Sequence, residues 1–83
     1  MITSCDEKNK MTIDLHNMNM LEAWSYIDNC VNFAPSNIKE IVVIHGYNSG
    51  KNILNMVRKE YKNNKVLRKY LSLNNGITSL ILY

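Results

Sequence analysis

The sequence predicts a two-layer α/β (α+β) sandwich in the order βαβαββ, with a four-stranded mixed sheet and two helices on one face. Three observations carry that expectation. Met11-Thr12-Ile13-Asp14-Leu15-His16 alternates strictly between apolar and polar side chains, the period of a half-buried strand. Met20, Ala23, Trp24, Ile27, Cys30, Val31 and Ala34 recur at helical spacing, which makes one buried stripe. Asn75-Gly76 separates two apolar, strand-like segments, and that dipeptide suits a tight hairpin. A chain of 83 residues allows one domain and buries roughly 60–65% of its unfolded surface. Its 46% hydrophobic content is enough for a thin core and argues against disorder.

Residues 1–10 are polar and of mixed charge, and read as a short flexible tail before a domain over 11–83. After the first strand, Asn19 begins a helix, with Glu22 three residues on at capping-box spacing. Pro35-Ser36 stops it. Ile38 to His45 forms a second strand. Its run Ile41-Val42-Val43-Ile44 lacks alternation, which predicts a central strand covered on both faces. Gly46 to Gly50 is a loop. A second helix follows with Ile53, Leu54, Val57 and Tyr61 inward and its charges mostly off that stripe, ending at Asn63-Asn64. Over Val66 to Leu73, Leu67, Tyr70 and Leu71 would permit more helix. Alternation and the Asn-Gly that follows favour a strand, paired with a last strand over Ile77 to Leu82. Right-handed crossovers put both helices on the same face.

Composition excludes several classes. Cys5 and Cys30 are the only cysteines and form no CxxC pair, so neither a zinc site nor a disulfide framework is expected. No apolar segment of signal-peptide type follows Met1. The longest purely aliphatic run, Ile41 to Ile44, is far short of the ~20 residues of a membrane span. The expectation is a cytoplasmic domain with no membrane partner. The formal charge of +3 is unevenly spread: three lysines oppose six acids through residue 50, a net −3, whereas seven basic residues oppose Glu60 alone beyond it, a net +6. A basic stretch of that kind suits a polyanion, although it could equally be a solvated helix face.

Two places could carry chemistry. His45-Gly46-Tyr47-Asn48-Ser49-Gly50 joins a strand to a helix, with Lys51 in the first turn. Such a turn exposes backbone N–H groups beside a positive helix end and can hold a phosphate; a turn that merely needs glycine would look the same. It is not a Walker A loop, since Gly46 to Gly50 is one residue too short and Asn52 stands where Ser or Thr would bind magnesium. Asp14 and His16 share one strand face, roughly 6–7 Å apart, at the C-terminal end where open α/β sheets place their sites. If that strand neighbours the one ending at His45, His16 and His45 meet at one edge beside the glycine loop. Asp14, His16 and His45 are therefore the catalytic candidates. As a two-His-one-carboxylate set they could also hold a divalent metal, but separated strands without a metal-spacing motif make a cofactor unexpected. Tyr47, Tyr61, Tyr70 and Tyr83 could stack on bases. Tyr47 is best placed, Tyr61 belongs to the core, and Trp24 is structural.

These residues resemble a family. Ile13-Asp14-Leu15-His16 and the segment through Glu22-Ala23 look like the opening of the small MutS-related (Smr) domain, with its LDxH strand and capped helix. His45 to Gly50 resembles that family's HGxGxG loop, and Asn75-Gly76 with the closing strand resembles its last turn. The match spans about residues 11–83. Asn17 stands where the family has glycine after LDxH, Asn48 replaces the middle glycine of the loop, and Asn75 replaces a glycine of the last turn. Asparagine tolerates positive φ better than other non-glycine residues. The resemblance implies a fold similar to the C-terminal domain of translation initiation factor three. It also implies nucleic-acid binding to RNA or DNA and, in many members, endonuclease activity, as DNA nicking in some and as messenger RNA cleavage on ribosomes in others. Catalysis is then expected at Asp14, His16 and His45. Phosphate contact is expected at Gly46, Tyr47, Asn48, Ser49, Gly50, Lys51, Arg58 and Lys59. The rival reading is a module that binds nucleic acid or a ribosome without cutting. A protein-interaction domain using the apolar sheet face is a third.

Overall fold

The computed structural model describes residues 3–7, 9–15, 17–46 and 52–83. Its elements are β1 (Thr3–Glu7), β2 (Lys10–Asp14), α1 (Met20–Phe33), β3 (Glu40–Ile44), α2 (Asn52–Asn55, continued by a π-helical turn over Met56–Glu60), β4 (Val66–Leu71) and β5 (Ile77–Leu82). The sheet order is β1-β2-β3-β5-β4. Only β2 and β3 run parallel.

The α+β architecture expected from the sequence is present, with β2, β3, β5 and β4 as its mixed four-stranded unit. One element is added. Thr3–Glu7, expected in a tail, pairs antiparallel with β2 through Thr3–Ile13 and Ser4–Thr12. An edge strand of this kind needs no apolar alternation in its sequence, because backbone pairing to β2 holds it. Alternation alone could not reveal it.

Helix α1 begins as its cap predicts. The Asn19 side chain accepts from the Glu22 N–H at 2.8 Å, and the Glu22 carboxylate accepts from the Asn19 N–H at 3.1 Å. It ends at Ala34, which is extended because a residue before proline avoids the helical region. Ala23, Ile27 and Val31 of α1 join Met56, Val57 and Tyr61 in one core with Met11, Ile13, Ile41, Val43, Leu80 and Leu82 of the sheet. Both helical segments thus cover the same sheet face. Val42 and Ile44 occupy the other face and are only half-buried. β3 is central, as its apolar run suggested, but helices cover it on one side only.

The second helix departs from regular geometry. Tyr61 donates its N–H to the Met56 carbonyl at 2.7 Å, five residues back. This wide turn brings Met56, Val57 and Tyr61 into the core together. Tyr61 then fastens the segment to α1: its hydroxyl donates to Asp28 at 2.9 Å, beside an Asn63 amide donating to the same oxygen at 3.0 Å. Burial, then the hydrogen bond to the carboxylate, push its phenol well above the usual range. Trp24 packs edge-on against the Tyr61 ring, with centroids 5.5 Å apart.

Candidate functional site

The parallel pairing of β2 and β3 sets Asp14 beside Ile44, and the Leu15 N–H donates to the Ile44 carbonyl at 2.9 Å. The C-terminal ends of both strands therefore lie side by side, where open α/β sheets carry their sites. The β4–β5 connection closes on the same edge. The N–H groups of His45 and Gly46 both donate to the Gly76 carbonyl, at 2.9 and 3.0 Å. A Cβ on Gly76 would lie 3.3 Å from the Gly46 Cα and 3.3 Å from Asn74 Oδ1, so a side chain there would crowd the two backbones that meet at this edge.

That connection is not the two-residue hairpin which Asn75-Gly76 suggested. It spans residues 72–76, between Leu71 and Ile77, and neither Asn75 nor Gly76 has a positive φ. Side chains shape it instead. Ser72 Oγ accepts from the Asn74 N–H at 3.1 Å, and Asn74 Oδ1 accepts from the Gly76 N–H at 2.8 Å. These local bonds compete with a primed turn.

A polar chain runs inward from this junction. Arg58 Nε donates to the Thr78 hydroxyl oxygen at 2.7 Å, and its Nη2 donates to the Ile77 carbonyl at 2.8 Å. Thr78 Oγ1 and His45 Nε2 are 2.8 Å apart, and His45 Nδ1 lies 2.8 Å from the Gly46 carbonyl. A carbonyl can only accept, so Nδ1 carries the proton. Nε2 is then an acceptor and takes the Thr78 hydroxyl proton. Both ring nitrogens of His45 are engaged within the protein. Burial lowers its pKa, the Gly46 carbonyl opposes that, and the nearby Arg58 charge adds to it. The imidazole is therefore neutral at pH 7.

Asp14 and His45 stand on opposite faces. His45 shares the helix-covered face of Val43 and Ile41, as its bond to the buried Thr78 requires. Asp14 alternates with the buried Ile13 and so lies on the other face. His16, between Leu15 and Asn17, lies outside the described residues, as do Tyr47, Asn48, Ser49, Gly50 and Lys51. Asn17 follows at φ 65°, inside a turn closed by the Met18 N–H donating to the Leu15 carbonyl at 3.1 Å. Its counterpart after β3, Gly46, has φ 68°. Positive φ among the described residues thus occurs only after the two parallel strands.

Of the basic candidates, Arg58 turns inward and Lys59 is exposed. Arg58 was expected among the charges off the inner stripe, yet its guanidinium turns in to Thr78 and Ile77; it follows Leu54 of that stripe by four residues, which was the available signal. Thr78 was missed because a threonine within a strand carries no signal of its own; its complete burial appears only with the fold. Tyr61 is fully buried, Tyr70 and Tyr83 are exposed, and Trp24 is at the core's margin. No group of three or more histidines, cysteines or carboxylates that could hold a metal occurs among the described residues. No described helix is long and apolar enough to cross a membrane.

No family model matches the chain, and no curated protein matches it. A solved structure does: the Smr domain of Thermus thermophilus MutS2, with a TM-score of 0.77, 17% identity, and coverage of 87% of this chain and 96% of that one. The chain has the Smr-domain fold.

Proposed function

We propose that this chain is a nucleic-acid-binding domain of the Smr type that acts as an endonuclease at the C-terminal edge of β2 and β3. One observation carries the reading. Two glycine-bearing turns, an imidazole and a guanidinium meet at that edge, and Arg58 and Gly76 come to it from the half of the chain whose net charge is +6. A phosphodiester is the ligand that suits such an edge, because backbone N–H groups and cations both favour its charge.

In this reading His16 is the general base. On RNA it takes the 2′-hydroxyl proton while Asp14 supports the imidazolium. The 2′-oxygen attacks phosphorus and the 5′-oxygen leaves with a proton, giving a 2′,3′-cyclic phosphate and a 5′-hydroxyl. The amides of the Gly46–Gly50 loop hold the phosphate. His45 is a positioning residue: a neutral ring with both nitrogens bonded fixes the loop's first turn. That same saturation favours a second reading, a module that binds without cutting.

Incubation with single-stranded RNA and with nicked or branched DNA, each with and without EDTA, tests both. Metal-independent RNA cleavage, lost by at least about 10²-fold in His16→Ala with binding retained, is the expected result. Cleavage of all-DNA substrate that stops with EDTA would mean hydrolysis by water with a divalent cation. Binding without cleavage of any substrate would leave the second reading.

A further inference from the structure

Between the π-helical turn and β4 lies a cleft of about 410 Å³ whose lining includes Arg58, Lys59, Lys62, Arg68 and Lys69 and no carboxylate. We propose that this cleft is the track for the phosphate backbone of a single-stranded nucleic acid, leading it to the edge at His45. The inference rests on the function proposed above and adds to it a path and a strandedness.

The cleft's two walls are both basic. Arg58, Lys59 and Lys62 come from the helical segment and the residues after it; Arg68 and Lys69 come from β4. Val66 and Leu67 supply apolar surface between them. The cations differ in what they do. Arg58 is bonded to Thr78 and Ile77, and Lys69 donates to the Tyr61 carbonyl at 2.6 Å. Lys59, Lys62 and Arg68 are exposed, and their side chains make no hydrogen bond or ion pair among the described residues. Glu60 lies in the same turn yet is not part of the lining. Charge this concentrated and this unpaired is a standing repulsion: burial, and then Lys62 itself, lower the pKa of Lys69. A polyanion laid between the walls would relieve it.

Three features favour nucleic acid in single-stranded form. Phosphodiester charge repeats at every residue, matching cations on both walls, and guanidinium groups fork onto phosphate oxygens. The apolar floor can take a base face, which a single strand exposes and a duplex hides. A flexible strand can enter a concave cleft and reach Lys69, whereas a stiff duplex touches only the rim. The path has a direction too. Arg58, at the inner end, bonds the same Thr78 hydroxyl that bonds His45, so a strand in the cleft is delivered to the candidate edge.

The test is a salt titration of binding to a labelled single-stranded RNA and a single-stranded DNA of the same sequence. It compares the unaltered chain with K59E/K62E/R68E, which leaves Arg58 and Lys69 in place, and uses circular dichroism to check the fold. The variant should lose roughly tenfold or more in affinity. Its slope of log K against log salt should flatten by about 2, at ~0.7 per lost phosphate contact on a single strand. A milder K62Q/R68Q pair should flatten it by about 1.4 on the same basis, and settles the matter if the triple variant unfolds. Tight, salt-dependent binding by the unaltered chain with an unchanged slope in the variants would overturn the cleft and leave the proposed function standing. No binding by the unaltered chain would overturn both. A duplex of equal length that competes better, or polyglutamate that competes equally well, would overturn single-stranded nucleic acid as the occupant.

Discussion

Arg58 and Lys62 are four residues apart, and both line the same cleft, yet they belong to different regimes. Arg58 sits at the loop end of the sheet, where polar groups satisfy one another: its guanidinium holds Thr78 and Ile77, Thr78 holds His45, and His45 holds Gly46. Lys62 is exposed, and its side chain makes no hydrogen bond or ion pair among the described residues. The loop end also concentrates positive φ, at Asn17 and Gly46, and at Asn17 that conformation carries backbone strain. One region spends its charge on internal order, and the other keeps it available. Positive charge in a basic stretch is therefore not one resource: only the second kind can answer to a ligand without cost to the fold.

The sharpest way to break that comparison is to remove one cation from each regime. Arg58→Ala leaves the Ile77 carbonyl and the Thr78 hydroxyl without their charged donor in a half-buried site. It should destabilise the domain by about 2–3 kcal/mol in urea denaturation, the range for losing hydrogen bonds to a charged group. Lys62→Ala should change stability by less than about 0.5 kcal/mol, as is usual for an exposed side chain. Equal losses would erase the distinction.

The architecture was legible because its signals are local. Asn19 and Glu22 made the cap, Ile13 and Leu15 gave the strand its buried face, and Pro35 closed the helix. What escaped depends on contacts far apart in sequence. β1 exists only by pairing with β2, and the sequence of Thr3–Glu7 carries no apolar alternation to betray it. The π turn cannot be read from residue type, since Met56 looks like any helical methionine until Tyr61 bonds back to it. At the site, the strand-end logic correctly brought β2 and β3 together. It could not foresee that strand alternation sets Asp14 and His45 on opposite faces, or that Gly76 packs closely against the Gly46 backbone. The departure at Asn17 was legible in physical terms, since asparagine tolerates the positive φ that the turn there adopts.

That strain can be probed directly. Asn17 stands at φ 65°, where a Cβ is penalised and asparagine is tolerated for its short polar side chain. Asn17→Ala should cost about 1 kcal/mol by the same argument. Asn17→Gly removes the steric penalty but loosens the unfolded chain, so the two terms oppose and the net change should stay under about 0.5 kcal/mol. A stabilising Asn17→Ala in urea denaturation would remove strain from the list of what distinguishes the loop end.

The smallest effect expected is the pH response of His45. Its pKa is lowered on folding, first by burial and then by the Arg58 charge, against the opposing Gly46 carbonyl. The native state therefore binds fewer protons than the unfolded chain, whose imidazole titrates near 6.5. By linkage, stability rises with pH wherever the unfolded state holds the extra proton. His45 thus contributes nothing to the pH dependence well above 6.5, and the domain loses stability as pH falls below that value and on through the lower folded pKa. Protonation also disrupts the chain of bonds, because an imidazolium Nε2 can no longer accept from Thr78 while Arg58 stays charged beside it. Urea midpoints from pH 8 to 5 should fall less steeply in His45→Gln than in the unaltered chain. The same series in Lys62→Gln should parallel the unaltered chain, since Lys62 is exposed and takes no part in the bonds around His45. If acidification affects His45→Gln and the unaltered chain alike, the neutral, internally bonded imidazole is not what holds the loop end together.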